Sequence, residues 1–168
     1  IVDAAGGLPL IADADNGYGG PMNVARTVRD YERAGVAAIQ LEDQVHPKKC
    51  GHMENKAVVP IGDAALRIRV ARDTASGGLT IVARTDAIAT DGLDEALRRA
   101  EAFLDAGADV LFIEAPTSAA QLETIATRFA GVPLVANLVE DGKTPLPPLP
   151  ELGQLGFALV LKPVAALL

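Results

Sequence analysis

The fold is decided by a stretch that reads Tyr31-Glu-Arg-Ala-Gly-Val-Ala-Ala-Ile-Gln-Leu-Glu42. It contains the last turn of an amphipathic helix, a glycine, a short connection and an apolar strand that ends in a carboxylate. Glycine is the usual residue after the last helical turn, because it adopts the left-handed backbone conformation at little cost. The stretch therefore predicts a helix-to-strand unit in which Glu42 lies at the carboxyl end of the strand.

The same unit recurs along the chain. Three later glycines, Gly107, Gly131 and Gly156, also separate a helical segment from an apolar strand. A further helix is predicted over residues 63–75, and a further strand opens the chain. The six predicted strands cover residues 9–14, 38–42, 79–84, 110–114, 133–137 and 158–162.

The alternation of helices with continuous apolar strands favours a parallel sheet covered by helices. Polar residues follow these strands, and in a (β/α)8 barrel the carboxyl ends of all the strands form the active-site rim. A doubly wound open sheet places its ligand only at a switch point. We therefore expect an α/β fold of the TIM-barrel type. Because eight units typically need about 250 residues, residues 1–168 are expected to form one partial barrel domain of about six βα units. Such a fragment would lack the N-terminal strands and the C-terminal helices.

Composition argues against nucleic-acid and membrane partners. The net charge of −7 has the wrong sign for binding a phosphate backbone, and with no Trp and 4% aromatic residues the chain offers little surface for base stacking. No apolar run approaches the ~20 residues of a membrane span, and the N-terminus has no signal-peptide pattern. The single cysteine, Cys50, rules out an internal disulfide and is compatible with a reducing cytoplasm, where we expect the protein to be located.

Two carboxylates interrupt the opening strand. Asp13 and Asp15 are two residues apart, and the period of a strand would point both to one face, near Glu42 at the end of the next strand. Neighbouring carboxylates repel each other, so a cation is expected between them. Turn and cap chemistry accounts for Asn16 and partly for Asp15, but not for three acids together. The oxygen-only set predicts Mg²⁺, with Mn²⁺ as the alternative, whereas Zn²⁺ prefers His and Cys.

The longest irregular stretch, residues 44–61, lies on the predicted rim, where such a loop is more often an active-site lid than a linker. It concentrates Lys48, Lys49, Cys50 and His52 within five residues. The neighbouring positive charges would lower the pKa of the thiol, so a reactive Cys50 is favoured over a buried apolar one. A role as proton donor or acceptor fits this setting. Lys56 is equally well interpreted as a solvated loop charge.

Arg84 ends an apolar strand in the middle of the rim. An unpaired guanidinium is costly there, so Arg84 is expected to pair with an acid or to bind a substrate carboxylate through two hydrogen bonds. The proline-rich stretch 140–150 follows a strand directly and is interpreted as a rim loop that ends in a short helix.

Five motifs stand on the predicted rim and its loop. They are Asp13-x-Asp15, Leu41-Glu-Asp-Gln44, Lys48-Lys-Cys-Gly-His52, Ala83-Arg-Thr-Asp86 and Glu114-Ala-Pro116. Together they resemble the isocitrate lyase/phosphoenolpyruvate mutase superfamily, and within it the short lyases of the 2-methylisocitrate lyase and 2,3-dimethylmalate lyase type. The resemblance implies a modified (β/α)8 barrel that assembles as a homotetramer by exchanging a C-terminal helix. The phosphonate-forming mutases normally lack the Cys-Gly-His signature, so they are disfavoured.

The resemblance also implies roles for individual residues. Mg²⁺ would be held near the three rim acids named above, partly through water. Cys50 would be the catalytic acid/base on a gating loop, with Lys48, His52 and Arg84 as further catalytic residues. The positions that match the substrate contacts of the family are Gly51, His52, Arg84, Glu114 and Asn137.

The implied activity is a Mg²⁺-dependent carbon–carbon lyase acting on a 2-hydroxy di- or tricarboxylate, such as 2-methylisocitrate or 2,3-dimethylmalate. The products would be an α-keto acid and a second carboxylate. The Glu114-Ala-Pro motif leans towards dimethylmalate-type or oxaloacetate-cleaving members. Two alternatives remain open: an oxaloacetate hydrolase or decarboxylase that uses the same site, and an inactive fragment whose barrel serves only assembly or binding.

Overall fold

The computed structural model describes residues 1–49, 55–139, 144–145 and 147–163. Strands and helices alternate along this part of the chain, after a short 3-10 helix at Asp3–Ala5. The strands are β1 (Ile11–Asp13), β2 (Ala38–Glu42), β3 (Thr80–Thr85), β4 (Val110–Ile113), β5 (Leu134–Asn137) and β6 (Phe157–Leu161). The helices are α1 (Pro21–Arg33), α2 (Ile61–Thr74), α3 (Ile88–Asp91), α4 (Leu93–Asp105), α5 (Ala119–Arg128) and α6 (Leu149–Leu155).

The six strands form one parallel sheet in which every strand lies beside its neighbour in sequence, in the order β1-β2-β3-β4-β5-β6. The order never reverses, so the sheet curls in one direction, as a barrel does, and has no switch point of the doubly wound kind. The predicted α/β fold is confirmed: the structure is a curled half-barrel of the TIM type. The register pairs Glu42 with Arg84 across β2 and β3, which aligns these two charged side chains at one level.

The two faces of the sheet are packed differently. On the outer face, helices cover a continuous apolar core that includes Ile39, Phe103 and Leu122. The inner face holds a small separate cluster of strand residues, which are Ala38, Val82, Val110, Phe112 and Val135. Alternate residues of a strand point to opposite faces, which assigns Ile39 and its neighbour Ala38 to different layers. The inner layer is thin, and it leaves room for a cavity.

Local sequence signals explain where several elements begin. α1 begins at Pro21, whose missing N–H costs nothing in the first helical turn. α5 begins after Ser118, whose hydroxyl accepts a hydrogen bond from the backbone N–H of Gln121 at 3.2 Å. Before β4, Gly107 has a φ of +99°, and a Cβ there would lie 2.8 Å from Cγ of Arg72. Glycine is therefore required at this position by its conformation and by the close approach.

The opening strand is shorter than predicted. β1 covers Ile11–Asp13 rather than residues 9–14, because Asp15 turns the backbone into the left-handed region, with a φ of 49°. The other five strands begin and end within one residue of their predicted bounds. The helix α6 confirms the short helix expected after the proline-rich stretch. In the described part of the chain, none of the helices has the length and apolar character needed to cross a membrane.

Candidate active site

A cavity of about 720 Å³ opens inside the curl of the sheet, and each of the six strands or the residues that follow it contribute to its wall. Its charged and polar lining residues are Asp13, Gln40, Lys48, Lys49, Arg84, Glu114, Asn137 and Lys162. Five of the residues predicted to form the site, from four strand ends and one loop, thus meet at a single cavity. This is the carboxyl-end rim that the barrel topology implies.

Asp13 and Asp15 lie close together, but not for the reason predicted. Asp15 lies beyond the end of β1, so strand alternation does not orient its side chain. Its backbone N–H donates a hydrogen bond to Oδ1 of Asp13 at 3.0 Å. The expectation that both aspartates share a strand face is therefore wrong. A tight turn at the end of the strand brings the two carboxylates together instead.

The ammonium group of Lys48 lies among the three predicted metal ligands. Its Nζ is 2.6 Å from Oδ1 of Asp15, 3.1 Å from Oδ2 of Asp13 and 3.9 Å from Oε2 of Glu42. Burial alone would lower the pKa of Lys48, but the hydrogen bonds to Asp15 and Asp13 raise it above its usual value. The three acids therefore converge on a position where the structure places a positive charge.

Glu42 is the least compensated of these acids. Its side chain is fully buried, and neither carboxylate oxygen has a hydrogen-bond partner among the described residues. The nearest cation is Arg84, whose Nε is 3.6 Å from Oε2. Burial raises the pKa of Glu42 to about 7, although the charges of Arg84 and Lys48 act in the opposite direction. Two unpartnered buried oxygens are unusual in a folded protein and indicate a missing cationic or proton-donating partner.

Three carboxylates form the donor set for a metal ion at this position. Within residues 1–49, 55–139, 144–145 and 147–163, no group of three His, Cys, Asp or Glu side chains is arranged to hold a metal as it stands. Lys48 takes the position between Asp13 and Asp15. The three acids nevertheless offer only carboxylate oxygens, and no residue that the structure describes hydrogen-bonds to those of Glu42. Such a set fits a hard divalent ion such as Mg²⁺ or Mn²⁺.

Arg84 pairs with an acid, as predicted. Its Nε donates to Oδ2 of Asp86 at 2.9 Å and its Nη2 donates to Oδ1 at 3.1 Å. The ring centre of Phe112 lies 5.0 Å from the guanidinium carbon, within the range of a cation–π contact. Burial alone would lower the pKa of Arg84, but the hydrogen bonds and charges of Asp86 raise it, with Glu114 and Glu42 adding to the effect. Arg84 is therefore a permanent, oriented cation in the wall of the cavity.

Glu114 and Asn137 contact each other across neighbouring strand ends. Nδ2 of Asn137 donates to Oε1 of Glu114 at 3.2 Å and is 3.4 Å from Oε2. The buried Oδ1 of Asn137 has no hydrogen-bond partner in the part of the chain that the structure describes. Both residues line the cavity. Asn137 therefore offers an unused acceptor next to a carboxylate.

Sequence reasoning missed a second layer of charges behind Arg84. Nζ of Lys56 is 2.8 Å from Oδ1 of Asp86, and the side chains are 1% and 0% exposed, so the interpretation of Lys56 as a solvated charge is wrong. Asp43 accepts from Thr85 Oγ1 at 2.7 Å, from the backbone N–H of Asp86 at 3.0 Å and from Nη1 of Arg99 at 3.1 Å. The spacing of Arg84 and Asp86, two residues apart at the end of a strand, was the signal available for the pair.

Three predicted site residues, Cys50, Gly51 and His52, lie outside the described residues. The segments on either side of them are held together. Nζ of Lys49 donates to the backbone carbonyl of Asn55 at 2.7 Å. The side chain of Gln44 bonds to the backbone of Lys49 twice, as donor and as acceptor, each at 2.9 Å. Lys48 and Lys49, the last described residues before this gap, line the cavity.

Comparison with protein families finds one match, to the model of phosphoenolpyruvate phosphomutase, over residues 1–165. Among curated proteins, 2,3-dimethylmalate lyase of Eubacterium barkeri is 49% identical over 99% of the chain and 57% of its own length. The 2-methylisocitrate lyase of Bacillus subtilis (strain 168) is 47% identical over 97% of the chain and 54% of its own length. The chain therefore spans a little more than half the length of these relatives.

Solved structures give a similar picture. A crystal structure of 2,3-dimethylmalate lyase, described as a PEP mutase/isocitrate lyase superfamily member, superposes with a TM-score of 0.92 at 44% identity, over 95% of this chain and 54% of that one. A structure of oxaloacetate acetylhydrolase with the inhibitor 3,3-difluorooxalacetate gives a TM-score of 0.90 at 42% identity, over 95% and 55% of the two chains. The half-barrel seen here is thus a shared part of longer folds.

Proposed function

Because this chain belongs to the phosphoenolpyruvate mutase/isocitrate lyase superfamily, we propose that it forms the catalytic core of a Mg²⁺-dependent carbon–carbon lyase. The substrate would be a 2-hydroxy di- or tricarboxylate such as 2,3-dimethylmalate or 2-methylisocitrate. The products would be an α-keto acid and a second carboxylate. One observation supports this proposal best: beside the cavity that Asp13, Lys48 and Arg84 line, three acids surround the ammonium of Lys48, next to the buried guanidinium of Arg84.

The local arrangement of charges supports a divalent ion at this position. Among the described residues, Asp13, Asp15 and Glu42 all lie 2.6–3.9 Å from Nζ of Lys48, so three acids share one ammonium group. Arg84, the other cation near Glu42, is hydrogen-bonded to Asp86. Burial makes a poorly compensated carboxylate such as Glu42 expensive. We propose that Asp13, Asp15 and Glu42 hold Mg²⁺, with Mn²⁺ as a substitute. When bound, the ion would supply positive charge that makes a 2-hydroxyl group more acidic.

The residues of the chain have separate tasks in this proposal. Arg84 binds a substrate carboxylate and stabilises the negative charge that develops when the carbon–carbon bond breaks. Glu114 and Asn137 contact the polar groups of the substrate, and the unused Oδ1 of Asn137 offers an acceptor for a substrate hydroxyl. The 2-hydroxyl group loses its proton to water, and its oxygen forms the C=O of the α-keto acid as the carbon–carbon bond breaks. The electron pair of the broken bond remains on the carbon next to the second carboxylate. That carbon must then be protonated.

Cys50 is proposed as the acid that supplies this proton, with Gly51, His52 and Lys48 beside it. The loop 44–61 is proposed as a lid that excludes water from the carbanion. Lys48 and Lys49, which belong to this loop, line the cavity, and this supports the proposal. In the first test, the protein at its native length is incubated with Mg²⁺ and, in separate reactions, with 2,3-dimethylmalate, 2-methylisocitrate or citramalate. Each reaction is then assayed for α-keto acid.

Formation of an α-keto acid from one of these substrates is the expected result, and its loss with EDTA would support the metal. No product from any of them would contradict the lyase function. Cys50→Ser should abolish turnover while leaving Mg²⁺ and ligand binding unchanged, since a hydroxyl is a far weaker acid than a thiol. Turnover of Cys50→Ser at the wild-type rate would exclude the role of Cys50.

A second candidate uses the same site on a 2-oxo acid. It is favoured by the similarity to the solved oxaloacetate acetylhydrolase. Hydrolysis of oxaloacetate, with the 2-hydroxy acids inert, would select this candidate. Failure on both substrate classes would instead favour a non-catalytic barrel that serves assembly or binding.

The assembly and location are also proposals. By analogy with the family, we propose a homotetramer in the cytoplasm. Light scattering of the protein at its native length tests the assembly, with a mass of four chains as the expected result and a monomeric mass as the contrary one.

A further inference from the structure

The carboxylate of Asp86 lies between two cations behind the cavity. Its Oδ2 accepts a hydrogen bond from Nε of Arg84 at 2.9 Å. Its Oδ1 accepts from Nη2 of Arg84 at 3.1 Å and from Nζ of Lys56 at 2.8 Å. The side chain of Asp86 is fully buried and that of Lys56 is 1% exposed. With both oxygens engaged, Asp86 is not free to ligate a metal or to exchange a proton with a substrate.

We propose that Asp86 is a positioning residue that fixes the orientation of the Arg84 guanidinium, and that Lys56 holds Asp86 in place from the loop after β2. The inference rests on the proposed function, in which Arg84 binds a substrate carboxylate. Neither Asp86 nor Lys56 touches the substrate in this proposal. Both act through Arg84.

The fork between Asp86 and Arg84 determines which part of the guanidinium faces the cavity. Because Nε and Nη2 are both bonded to one carboxylate, the plane of the guanidinium is fixed against Asp86. Phe112 supports the guanidinium at 5.0 Å. Nη1 makes no hydrogen bond within the described ranges, so it is the nitrogen left for a ligand carboxylate in the cavity that Arg84 lines.

Two other acids compete for the same guanidinium. Oε2 of Glu42 lies 3.6 Å from Nε, and Oε1 of Glu114 lies 3.9 Å from Nη2. Neither pair is within hydrogen-bond distance, but each would be if the side chain of Arg84 moved by about an ångström. Asp86 therefore selects one orientation among three available acids. Without it, Arg84 is expected to pair with Glu42 or Glu114 and to withdraw from the ligand.

Lys56 makes this orientation depend on the packing of the loop. The segment around Lys56 returns along the end of β2, where Val45 donates from its backbone N–H to the carbonyl of Ala57 at 2.9 Å. Val59 donates in the same way to the carbonyl of Asp43 at 2.9 Å. The ammonium of Lys56 reaches Asp86 from this packed segment. Lys56 is thus a second positive charge beside the buried carboxylate of Asp86, in addition to Arg84.

The experiment measures oxalate binding by calorimetry in the presence of Mg²⁺, with the protein at its native length. Asp86→Asn keeps the shape of the side chain and removes its charge. It should weaken oxalate binding and raise KM roughly tenfold or more, with a smaller change in kcat, because Arg84 is misplaced but still present. Lys56→Gln should show a smaller loss in the same direction, and Lys56→Arg should restore most of it.

A matched control separates positioning from loss of stability. Leu122→Ala lies on α5 in the outer core, 1% exposed, and destabilises the fold without touching the cavity. Its oxalate affinity should stay within about twofold of the wild type, at a melting temperature lowered as much as in Asp86→Asn. If Asp86→Asn is too unstable to titrate, the comparison of Lys56→Gln with Lys56→Arg decides the question.

The outcomes distinguish the two proposals. Wild-type oxalate affinity in Asp86→Asn, or equal losses in Lys56→Gln and Lys56→Arg, would overturn the positioning role alone. Weakened oxalate binding together with no turnover of any hydroxy acid would support the positioning role and reject the lyase. No oxalate binding by the wild type would overturn the positioning role, whereas turnover of the hydroxy acids would still decide the lyase function.

Discussion

Glu42 and Asp43 are adjacent acids at the end of β2, both fully buried, and they differ in everything else. Asp43 belongs to the helix-covered side, where Thr85, Arg99 and the backbone of Asp86 donate three hydrogen bonds to its carboxylate. Glu42 faces the cavity side, and its two oxygens accept no hydrogen bond from the part of the chain that the structure describes. Burial raises the pKa of both acids, but only Asp43 has hydrogen bonds that act against this effect.

The difference teaches where this fold tolerates an unpaired group. On the outer side, the charge of Asp43 is matched by Arg99 and by hydrogen bonds, as is usual in protein cores. The inner side keeps a buried acid unsatisfied, and such departures from consistent packing concentrate at functional sites. Whether a buried acid has hydrogen-bond partners therefore separates a structural acid such as Asp43 from a candidate site acid such as Glu42. Burial does not separate them, because both are buried.

The largest effect is expected from removing the guanidinium group of Arg84, which lies on the inner side. Arg84→Met should lower kcat/KM about 10³-fold or more, because one partner of a buried charge pair with the substrate is lost. Arg84→Lys keeps the charge but not the fork and should lie between this variant and the wild type. Steady-state kinetics with the preferred substrate measure both. Activity of Arg84→Met within tenfold of the wild type would contradict the proposed role.

A smaller effect, on stability alone, is expected from breaking the matched acid of the outer side. Asp43→Asn should reduce the free energy of unfolding by about 3 kcal/mol, because Arg99 loses a buried ionic partner and the new amide presents a donor to a cation. Urea denaturation measures this change. Mg²⁺ affinity should be unaltered, and a loss of metal binding would contradict the contrast with Glu42.

The next effect is a dependence of stability on pH, which is caused by Glu42 on the inner side. In the folded, metal-free protein the pKa of Glu42 is raised from 4.5 to about 7. Glu42 therefore binds a proton more tightly in the folded state than in the unfolded state. Its contribution to the free energy of unfolding is fully present below about pH 4.5 and is lost as the pH rises to about 7. The decline from this residue should be at most about 3 kcal/mol.

Urea denaturation in EDTA at several pH values measures the decline. Glu42→Gln should remove its share of the slope, because the amide does not titrate, and should also weaken Mg²⁺ binding. Saturating Mg²⁺ should flatten the slope of the wild type, since a bound cation favours the ionised carboxylate. An unchanged slope in Glu42→Gln would show that other acids cause it.

The smallest effect is expected for a charge pair that belongs to neither side. Arg26 and Asp30 lie one helical turn apart on the exposed surface of α1, 3.7 Å from each other, with side chains 84% and 58% exposed. Arg26→Ala should change the free energy of unfolding by no more than about 0.5 kcal/mol. If Arg26→Ala lowered the free energy of unfolding as much as Asp43→Asn does, exposure to solvent would not explain the difference between the Arg26–Asp30 pair and the buried Asp43–Arg99 pair.

Much of the fold could be predicted from the sequence because the central strands β2 to β5 are buried on both faces. Continuous apolar runs located five strands within one residue, and four of these runs follow a capping glycine. β1 was the exception, since the left-handed turn at Asp15 depends on a hydrogen bond to Asp13 that no periodicity reveals. The four-residue helix α3, directly after Asp86, was also missed because it is too short to show a helical period.

The site was predictable where it follows from strand ends and not where it depends on loops. Strand ends gave Arg84, Glu114 and Asn137, because parallel strands bring their carboxyl ends to one rim. The positions of the Lys48 and Lys56 ammonium groups depend on how the loop after β2 folds back. The spacing of residues in the sequence does not predict which acids they contact. The sequence also shows that Glu42 and Asp43 point in opposite directions, but not which of them has partners.

The position of Lys48 has a consequence for the thermodynamics of metal binding. A divalent ion that enters between Asp13 and Asp15 competes with an ammonium that is tethered by its own backbone, at an effective concentration set by the length of the loop. Dilution or dialysis never removes such a competitor. Apparent metal affinity is therefore partly a property of loop geometry, and insertions that lengthen the loop should tighten metal binding without any change in the ligands.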